Sequence, residues 1–184
     1  MTNSQKNTKM TDILERSSCP VPPRLQKLLL PLLLALLLGG LAFAMTGRNA
    51  APAVSFTTIS GGRLELEQMR GKVVLVNFWA TSCSGCIAEM PQLMSAYRDY
   101  HAKGFELVAV AMSYDPPSHV ANYAKQHALP FPVAFDPKGE LAQAFENVQL
   151  TPTAFVIDKQ GKIVRHVVGE LDFPALRALL DKEL

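Results

Sequence analysis

The sequence predicts an α/β layered domain, and three observations support this fold class. Residues 73–76 and 105–112 form two short, largely apolar runs, which are typical of strands buried on both faces of a sheet. A pattern with helical spacing follows each run, and strands that alternate with helices build layered α/β domains. A hairpin pattern and one more helical pattern close the chain.

The first part of this domain is expected to contain a hairpin, a strand and a long helix. Residues 56–66 alternate between apolar and polar side chains on each side of Gly61-Gly62, which predicts a hairpin. After the first apolar run, residues 84–102 place apolar side chains on one helical face. Pro91 should kink this helix, because a proline cannot donate to the carbonyl four residues earlier.

The elements of the second part follow the same alternation. They are predicted as a strand at 105–112, a helix at 118–127, a short strand at 131–135, a short helix at 139–145, a hairpin of 153–158 with 162–168, and a last helix from the capping residue Asp172 to about Lys182.

The small net charge of +2 does not suggest a nucleic-acid partner.

The N-terminal part of the chain has a different composition. Residues 28–45 carry no charged side chain and are long enough to span a bilayer, and basic side chains are concentrated before them. The sequence therefore predicts a disordered cytoplasmic tail at 1–24, a transmembrane anchor or signal-anchor at 25–46, a linker at 47–53 and the folded domain at 54–184.

A cleaved signal peptide ending near residues 42–44 is the alternative to this anchor, although the region before the apolar stretch is long for a signal peptide. Either interpretation places the folded domain in an oxidising compartment outside the cytoplasm. An uncleaved anchor would keep Cys19 on the cytoplasmic side, in its reduced form.

The candidate reactive groups are Cys83 and Cys86, which lie where the first buried strand meets the following helix. Unpaired backbone N–H groups and the positive end of the helix dipole favour a thiolate at such a position. The thiolate is the nucleophile in disulfide exchange, and its pKa controls its reactivity. With two residues between them, the cysteines can close a small ring across the first helical turn.

Two other interpretations of this pair are weaker. A structural zinc site needs four ligands, and the chain offers one further cysteine, far upstream, and four histidines without paired spacing. A purely structural disulfide would close a very short loop and stabilise the fold little. A redox-active pair is therefore the favoured hypothesis, with no metal and no cofactor.

The segment from about Pro52 to the C-terminus resembles the thioredoxin superfamily, and within it the TlpA/ResA group of membrane-anchored bacterial thiol-disulfide oxidoreductases. The resemblance is carried by Gly71-Lys72, Asn77-Phe78-Trp79-Ala80-Thr81, the Cys83-x-x-Cys86 pair, Glu89-Met90-Pro91 and Thr151-Pro152-Thr153 before residues 154–158. Two positions depart from the family pattern: Ser82 stands where tryptophan is usual, and Gly85 where proline is frequent.

The resemblance implies a thioredoxin-like fold with an N-terminal β-hairpin extension, a central mixed sheet flanked by helices, and one preceding transmembrane helix. It implies that the bond before Pro152 is cis and packs against the disulfide, and that the Thr151 backbone pairs with an extended substrate. Trp79 is expected to pack with one edge exposed beside the cysteines, where substrate binds.

Glu89 is the candidate proton shuttle. It follows Cys86 by three residues, so both lie on the same side of the helix, and a carboxyl group there can take and return the thiol proton. The resemblance implies the same role for a glutamate at this position. Asn77 stands where thioredoxin carries a buried acid, and because an amide cannot ionise, more of the proton transfer falls to Glu89.

The resemblance implies a reductase of periplasmic protein disulfides, held in the bacterial inner membrane by a single span with its N-terminus in the cytoplasm. Cys83 attacks and Cys86 resolves the mixed disulfide. A membrane thiol carrier of the DsbD kind would re-reduce the pair, and the clients would be apocytochromes c or copper-site proteins of oxidase assembly. A disulfide-forming oxidase and a copper-binding chaperone that uses His166 are the alternatives.

Overall fold

The computed structural model describes residues 50–184, together with residues 31, 36, 37 and 39, which are helical. The tail predicted at 1–24, most of the anchor predicted at 25–46 and residues 47–49 of the linker predicted at 47–53 lie outside these residues. In the described part of the chain, none of the helices combines the length and the apolar character that crossing a membrane requires.

In the described part of the chain, seven strands form two sheets. They are β1 (Ser55–Thr57), β2 (Arg63–Glu65), β3 (Val73–Trp79), β4 (Phe105–Ala111), β5 (Val133–Phe135), β6 (Thr153–Ile157) and β7 (Ile163–Val168). The central sheet has the order β5-β4-β3-β6-β7. Its β5-β4-β3 part is parallel, whereas β6 pairs antiparallel with both β3 and β7, so the predicted mixed sheet is confirmed.

Among residues 50–184, four α-helices accompany the strands: α1 (Ser84–Tyr100), α2 (Pro117–Gln126), α3 (Glu140–Ala144) and α4 (Phe173–Glu183). The first ends two residues before the predicted boundary, and a short 3₁₀ turn then leads to Gly104, whose positive φ of 102° suits a residue without a side chain. The predicted cap of α4 is confirmed, since the Asp172 carboxylate accepts a hydrogen bond from the Ala175 N–H at 2.9 Å.

The core lies on both faces of the central sheet because successive residues of β3 point to opposite sides. On one face, Leu75 and Trp79 pack with Cys86 of α1 and with apolar side chains of α4. On the other face, Phe78 packs edge-on against Phe145, with ring centroids 5.5 Å apart. Burial of β3 on both faces explains why its sequence is continuously apolar except at Asn77.

The predicted N-terminal hairpin is confirmed as β1 paired antiparallel with β2. It joins the outer edge of the central sheet, where the Ile59 N–H donates to the Val133 carbonyl at 2.9 Å and Thr58 bridges to Ala134. The hairpin therefore covers part of the β5 edge, which would otherwise expose unpaired backbone groups.

Candidate active site

A disulfide joins Cys83 and Cys86 at the start of α1. Cys83 caps the helix, and its sulfur accepts a hydrogen bond from the Cys86 N–H at 3.2 Å. Cys86 has no exposed surface, whereas Cys83 is partly exposed. The two sulfurs therefore differ in accessibility, and a protein substrate can approach Cys83 first.

The loop before the cysteines is held by Asp115, which lies in the loop after β4 and which sequence reasoning missed. The carboxylate of Asp115 accepts two hydrogen bonds from Thr81, one from the backbone N–H and one from the hydroxyl, both at 2.6 Å. Asp115 is almost completely buried, so both bonds are shielded from water. The sequence did contain a signal for Asp115, because this residue follows the carboxyl end of β4, which is parallel to β3 and adjacent to it.

The Glu89 side chain is buried, with 4% of its surface exposed. One carboxylate oxygen accepts from the Leu171 N–H at 3.2 Å, and the other accepts from the Asn77 amide at 3.4 Å. Burial raises the pKa of Glu89 above its ordinary value of 4.5; these two hydrogen bonds lower it, and the charge of Glu170 raises it further. The structure thus places a shielded carboxyl group one helical turn after Cys86.

The bond between Thr151 and Pro152 is cis, as predicted. The Pro152 carbonyl accepts from the Gly169 N–H at 2.8 Å, and the Thr151 hydroxyl lies 3.2 Å from the Tyr114 hydroxyl. Among residues 50–184, no hydrogen bond between backbone groups uses the N–H or carbonyl of Thr151. Those groups remain available to an incoming extended segment.

Cys83, Thr151 and Pro152 share one groove of about 690 Å³, which is also lined by Ser82, Ser84, Gly85, Tyr114, Gly169 and Glu170. Tyr114 and Glu170 were not predicted from the sequence, because the loops that bring them here are distant from the cysteines in the chain. A larger groove of about 880 Å³ lies between the N-terminal hairpin and the helices α2 and α3. It contains neither cysteine, so the smaller groove is the candidate active site.

The profile of the Redoxin family matches residues 46–180. This chain belongs to the Redoxin family. It is 38% identical over 132 residues to the thiol-disulfide oxidoreductase ResA of Bacillus thuringiensis subsp. konkukian, covering 72% of this chain and 75% of the relative. It is 34% identical to ResA of Geobacillus kaustophilus, over 67% of this chain and 70% of that relative.

Solved structures similar to this Redoxin-family chain include thioredoxin-like and thiol:disulfide interchange proteins. A putative thioredoxin from Neisseria meningitidis superposes with a TM-score of 0.69 at 39% identity, covering 73% of this chain and 89% of that one. A putative thiol:disulfide interchange protein DsbE from Chlorobium tepidum gives a TM-score of 0.63 at 32% identity, covering 73% and 92%. The protein is a ResA/TlpA-like thiol-disulfide oxidoreductase of the thioredoxin superfamily, and enzymes of this kind act on protein disulfides.

The prediction that Trp79 is partly exposed beside the cysteines is wrong. Trp79 has no exposed surface, and its ring packs against Tyr123 of α2 with centroids 5.3 Å apart. The reason is that α2 covers the end of β3, which the spacing of the sequence does not show. A side chain without exposed surface cannot contact a substrate in this conformation, so Trp79 is a core residue of this oxidoreductase.

His166 lies away from the cysteines, on the other face of the sheet. Its ring stacks on Phe155 at 4.2 Å, and its Nδ1 lies 3.1 Å from a carboxylate oxygen of Glu146. Phe155 belongs to the core on the face opposite Cys86. In the described part of the chain, no three His, Cys, Asp or Glu side chains are grouped in a way that could hold a metal ion.

Proposed function

We propose that this oxidoreductase reduces disulfides of proteins outside the cytoplasm, with Cys83 as the attacking thiol. The observation that carries the proposal is the unequal exposure of the two sulfurs: Cys83 is reachable from the groove, and Cys86 is fully buried. An accessible thiolate at a helix N-terminus is the nucleophilic member of such a pair.

The exchange proceeds in two balanced steps. The Cys83 thiolate attacks one sulfur of the substrate disulfide, so a mixed disulfide forms and the other substrate sulfur leaves as a thiolate, which takes up a proton. Cys86 then loses its proton and attacks the Cys83 sulfur, which releases the second substrate sulfur. The substrate gains two electrons and two protons, and the enzyme keeps the Cys83–Cys86 disulfide.

Glu89 is proposed to accept the Cys86 proton before the second step. Its position one turn along α1 and its burial support this role, because a shielded carboxyl group with a raised pKa exchanges protons closer to neutral pH. The same group would return the proton to Cys86 when the enzyme is reduced again.

The substrate segment is proposed to bind in extended form along Thr151, with Pro152 beneath its disulfide. The free backbone groups of Thr151 and the neighbouring groove support this mode, since main-chain hydrogen bonds can bind many different sequences.

The proposal includes a place in the cell. The uncharged stretch at 28–45 and the basic residues before it support an inner-membrane anchor with a cytoplasmic N-terminus and a periplasmic catalytic domain. A membrane thiol carrier of the DsbD kind would then supply electrons, and apocytochromes c or copper-site proteins would be clients. The copper-chaperone alternative has less support, because His166 packs on the face opposite Cys86.

The deciding measurement is the redox potential of the Cys83–Cys86 couple, obtained by equilibration with glutathione or dithiothreitol buffers. A reductase should give a value toward the reducing end, about −270 mV, whereas a value of about −120 mV would identify a disulfide-forming oxidase.

The location is tested separately with a membrane-impermeant maleimide on intact cells after reduction. Cys83 should be labelled, and Cys19 should be labelled only after the membrane is permeabilised.

A further inference from the structure

Glu170 lies close to Gly85, one of the two residues between the cysteines. A Cβ atom placed on Gly85 would lie 3.0 Å from Oε1 of Glu170, which is tighter than ordinary van der Waals contact. A side chain at position 85 would therefore require the exposed end of the Glu170 side chain to shift by a few tenths of an ångström. This proximity brings the loop between β7 and α4 to the first turn of α1.

Gly85 has no backbone reason to be glycine. It lies inside α1, and it is not among the glycines with positive φ. Because its backbone conformation is open to any residue, the feature that depends on glycine here is the absence of a side chain. The glycine at position 85, where the family frequently has proline, thus leaves room for the Glu170 carboxylate.

Glu170 also gives the groove its charge. In the disulfide form of the protein, the other described residues that line it are neutral: Ser82, Cys83, Ser84, Gly85, Tyr114, Thr151, Pro152 and Gly169. Glu170 is exposed, and none of the ion pairs among residues 50–184 includes it. A carboxylate at the rim of a neutral groove attracts positively charged groups and repels negatively charged ones.

We propose that Glu170 is a specificity-determining residue, and that it favours protein substrates with a Lys or Arg side chain beside the disulfide cysteine that Cys83 attacks. This inference rests on the proposed reductase function, because it concerns the substrate bound in the same groove. A substrate bound along Thr151 with its sulfur at Cys83 passes the rim that Glu170 forms. A cationic side chain there pairs with the carboxylate, and an acidic one is repelled.

A purely indirect role for Glu170 predicts a different result. Its charge acts on Glu89, and losing it would change the chemistry of the cysteine pair itself. Such a change would affect every substrate by the same factor. Selection at the rim changes the ratio of rates between substrates of different charge, so that ratio is the quantity to measure.

The test uses the reduced full-length protein in detergent and three disulfide-linked peptides that differ only in the residue beside the cysteine: Lys, Gln or Glu. A neighbouring charge also alters the peptide's own reactivity, so the Lys-to-Glu rate ratio is compared between protein variants. In wild type this ratio should exceed that of Glu170→Gln by about two- to fivefold, which is the range for an exposed ion pair. Glu170→Lys should invert the preference.

Two controls make the outcome specific. Glu140→Gln removes an exposed carboxylate outside the groove and should keep the wild-type ratio. High salt should reduce the wild-type ratio toward that of Glu170→Gln, because it screens exposed charges. If Glu170→Gln keeps the wild-type Lys-to-Glu rate ratio and reduces the Gln peptide normally, the proposed role of Glu170 is wrong, but the reductase function is not contradicted. If wild type reduces none of the three peptides, the proposed reductase function fails as well.

Discussion

The amide of Asn77 lies 3.4 Å from the carboxylate of Glu89, and both side chains are buried between β3 and α1. A neutral donor lowers the pKa of a carboxyl group less than a cation would, so desolvation prevails and the pKa of Glu89 is raised. Of the two buried side chains Asn77 and Glu89, only Glu89 can therefore ionise. The first two predictions test what this single carboxyl group does.

Replacement of Glu89 by Gln should slow disulfide exchange near neutral pH. The amide keeps the shape of the side chain and removes its proton, so the loss should be on the order of 100-fold, the lower end of what general acid–base catalysis contributes. Single-turnover rates of the reduced protein with a peptide disulfide provide the measurement, and Glu140→Gln is the matched control. If Glu89→Gln reacts at the wild-type rate between about pH 5 and pH 9, the proton passes through water instead.

The same substitution should change how stability depends on pH. The folded protein holds the Glu89 proton more tightly than the unfolded chain does, because burial raises the pKa of this group. Its contribution to stability is therefore greatest at low pH and is lost as pH rises from about 4.5 through the raised pKa. Urea unfolding should show Glu89→Gln gaining stability relative to wild type as the pH increases. Parallel stability curves for the two proteins would contradict a raised pKa.

The two cysteines should behave differently when each is replaced by serine. Cys86→Ser leaves the accessible Cys83 able to attack but unable to be released, so mixed disulfides with clients should accumulate. Cys83→Ser leaves the buried Cys86 as the remaining cysteine of the pair and should accumulate none. Non-reducing gels after alkylation of cells with a thiol reagent would show the adducts. The reverse pattern would reject Cys83 as the attacking thiol.

The sequence predicted the features that depend on local patterns, but it did not predict the contacts between segments that are far apart in the chain. The continuous apolar runs identified β3 and β4, and the Cys83–Cys86 spacing at the end of β3 located the redox centre. The exposure of Trp79 could not be predicted, because it depends on Tyr123 of a different helix. Glu170 could not be predicted for the same reason, since its position beside Gly85 brings together elements far apart in the chain.

Loss of the Thr81–Asp115 contact should destabilise the protein and loosen the loop before the cysteines. Asp115→Ala would leave the Thr81 N–H and hydroxyl without their buried acceptor, which should cost about 1–3 kcal/mol of unfolding free energy. Thr81→Val removes only the hydroxyl bond and should cost less, about 1 kcal/mol. Denaturant unfolding measures both, with the exposed Gln92→Ala as a control. Equal stability of Asp115→Ala and wild type would show that the contact contributes nothing.

Replacement of Asn77 by Asp would place a second carboxyl group beside Glu89, in the arrangement of a buried acid pair. Two carboxylates this close cannot both ionise readily, so the pair should retain one proton to higher pH than Glu89 alone does. Because the folded-state pKa of an acid is then raised further, stability should fall more steeply with rising pH in Asn77→Asp than in wild type. Asn77→Leu removes the amide without adding a titrating group and serves as the control for lost hydrogen bonding. Urea unfolding of the three proteins at about pH 5 and about pH 8 should therefore show the largest difference for Asn77→Asp. The same pH dependence in Asn77→Asp and Asn77→Leu would show that a carboxyl group at position 77 does not share a proton with Glu89, and the prediction would be wrong.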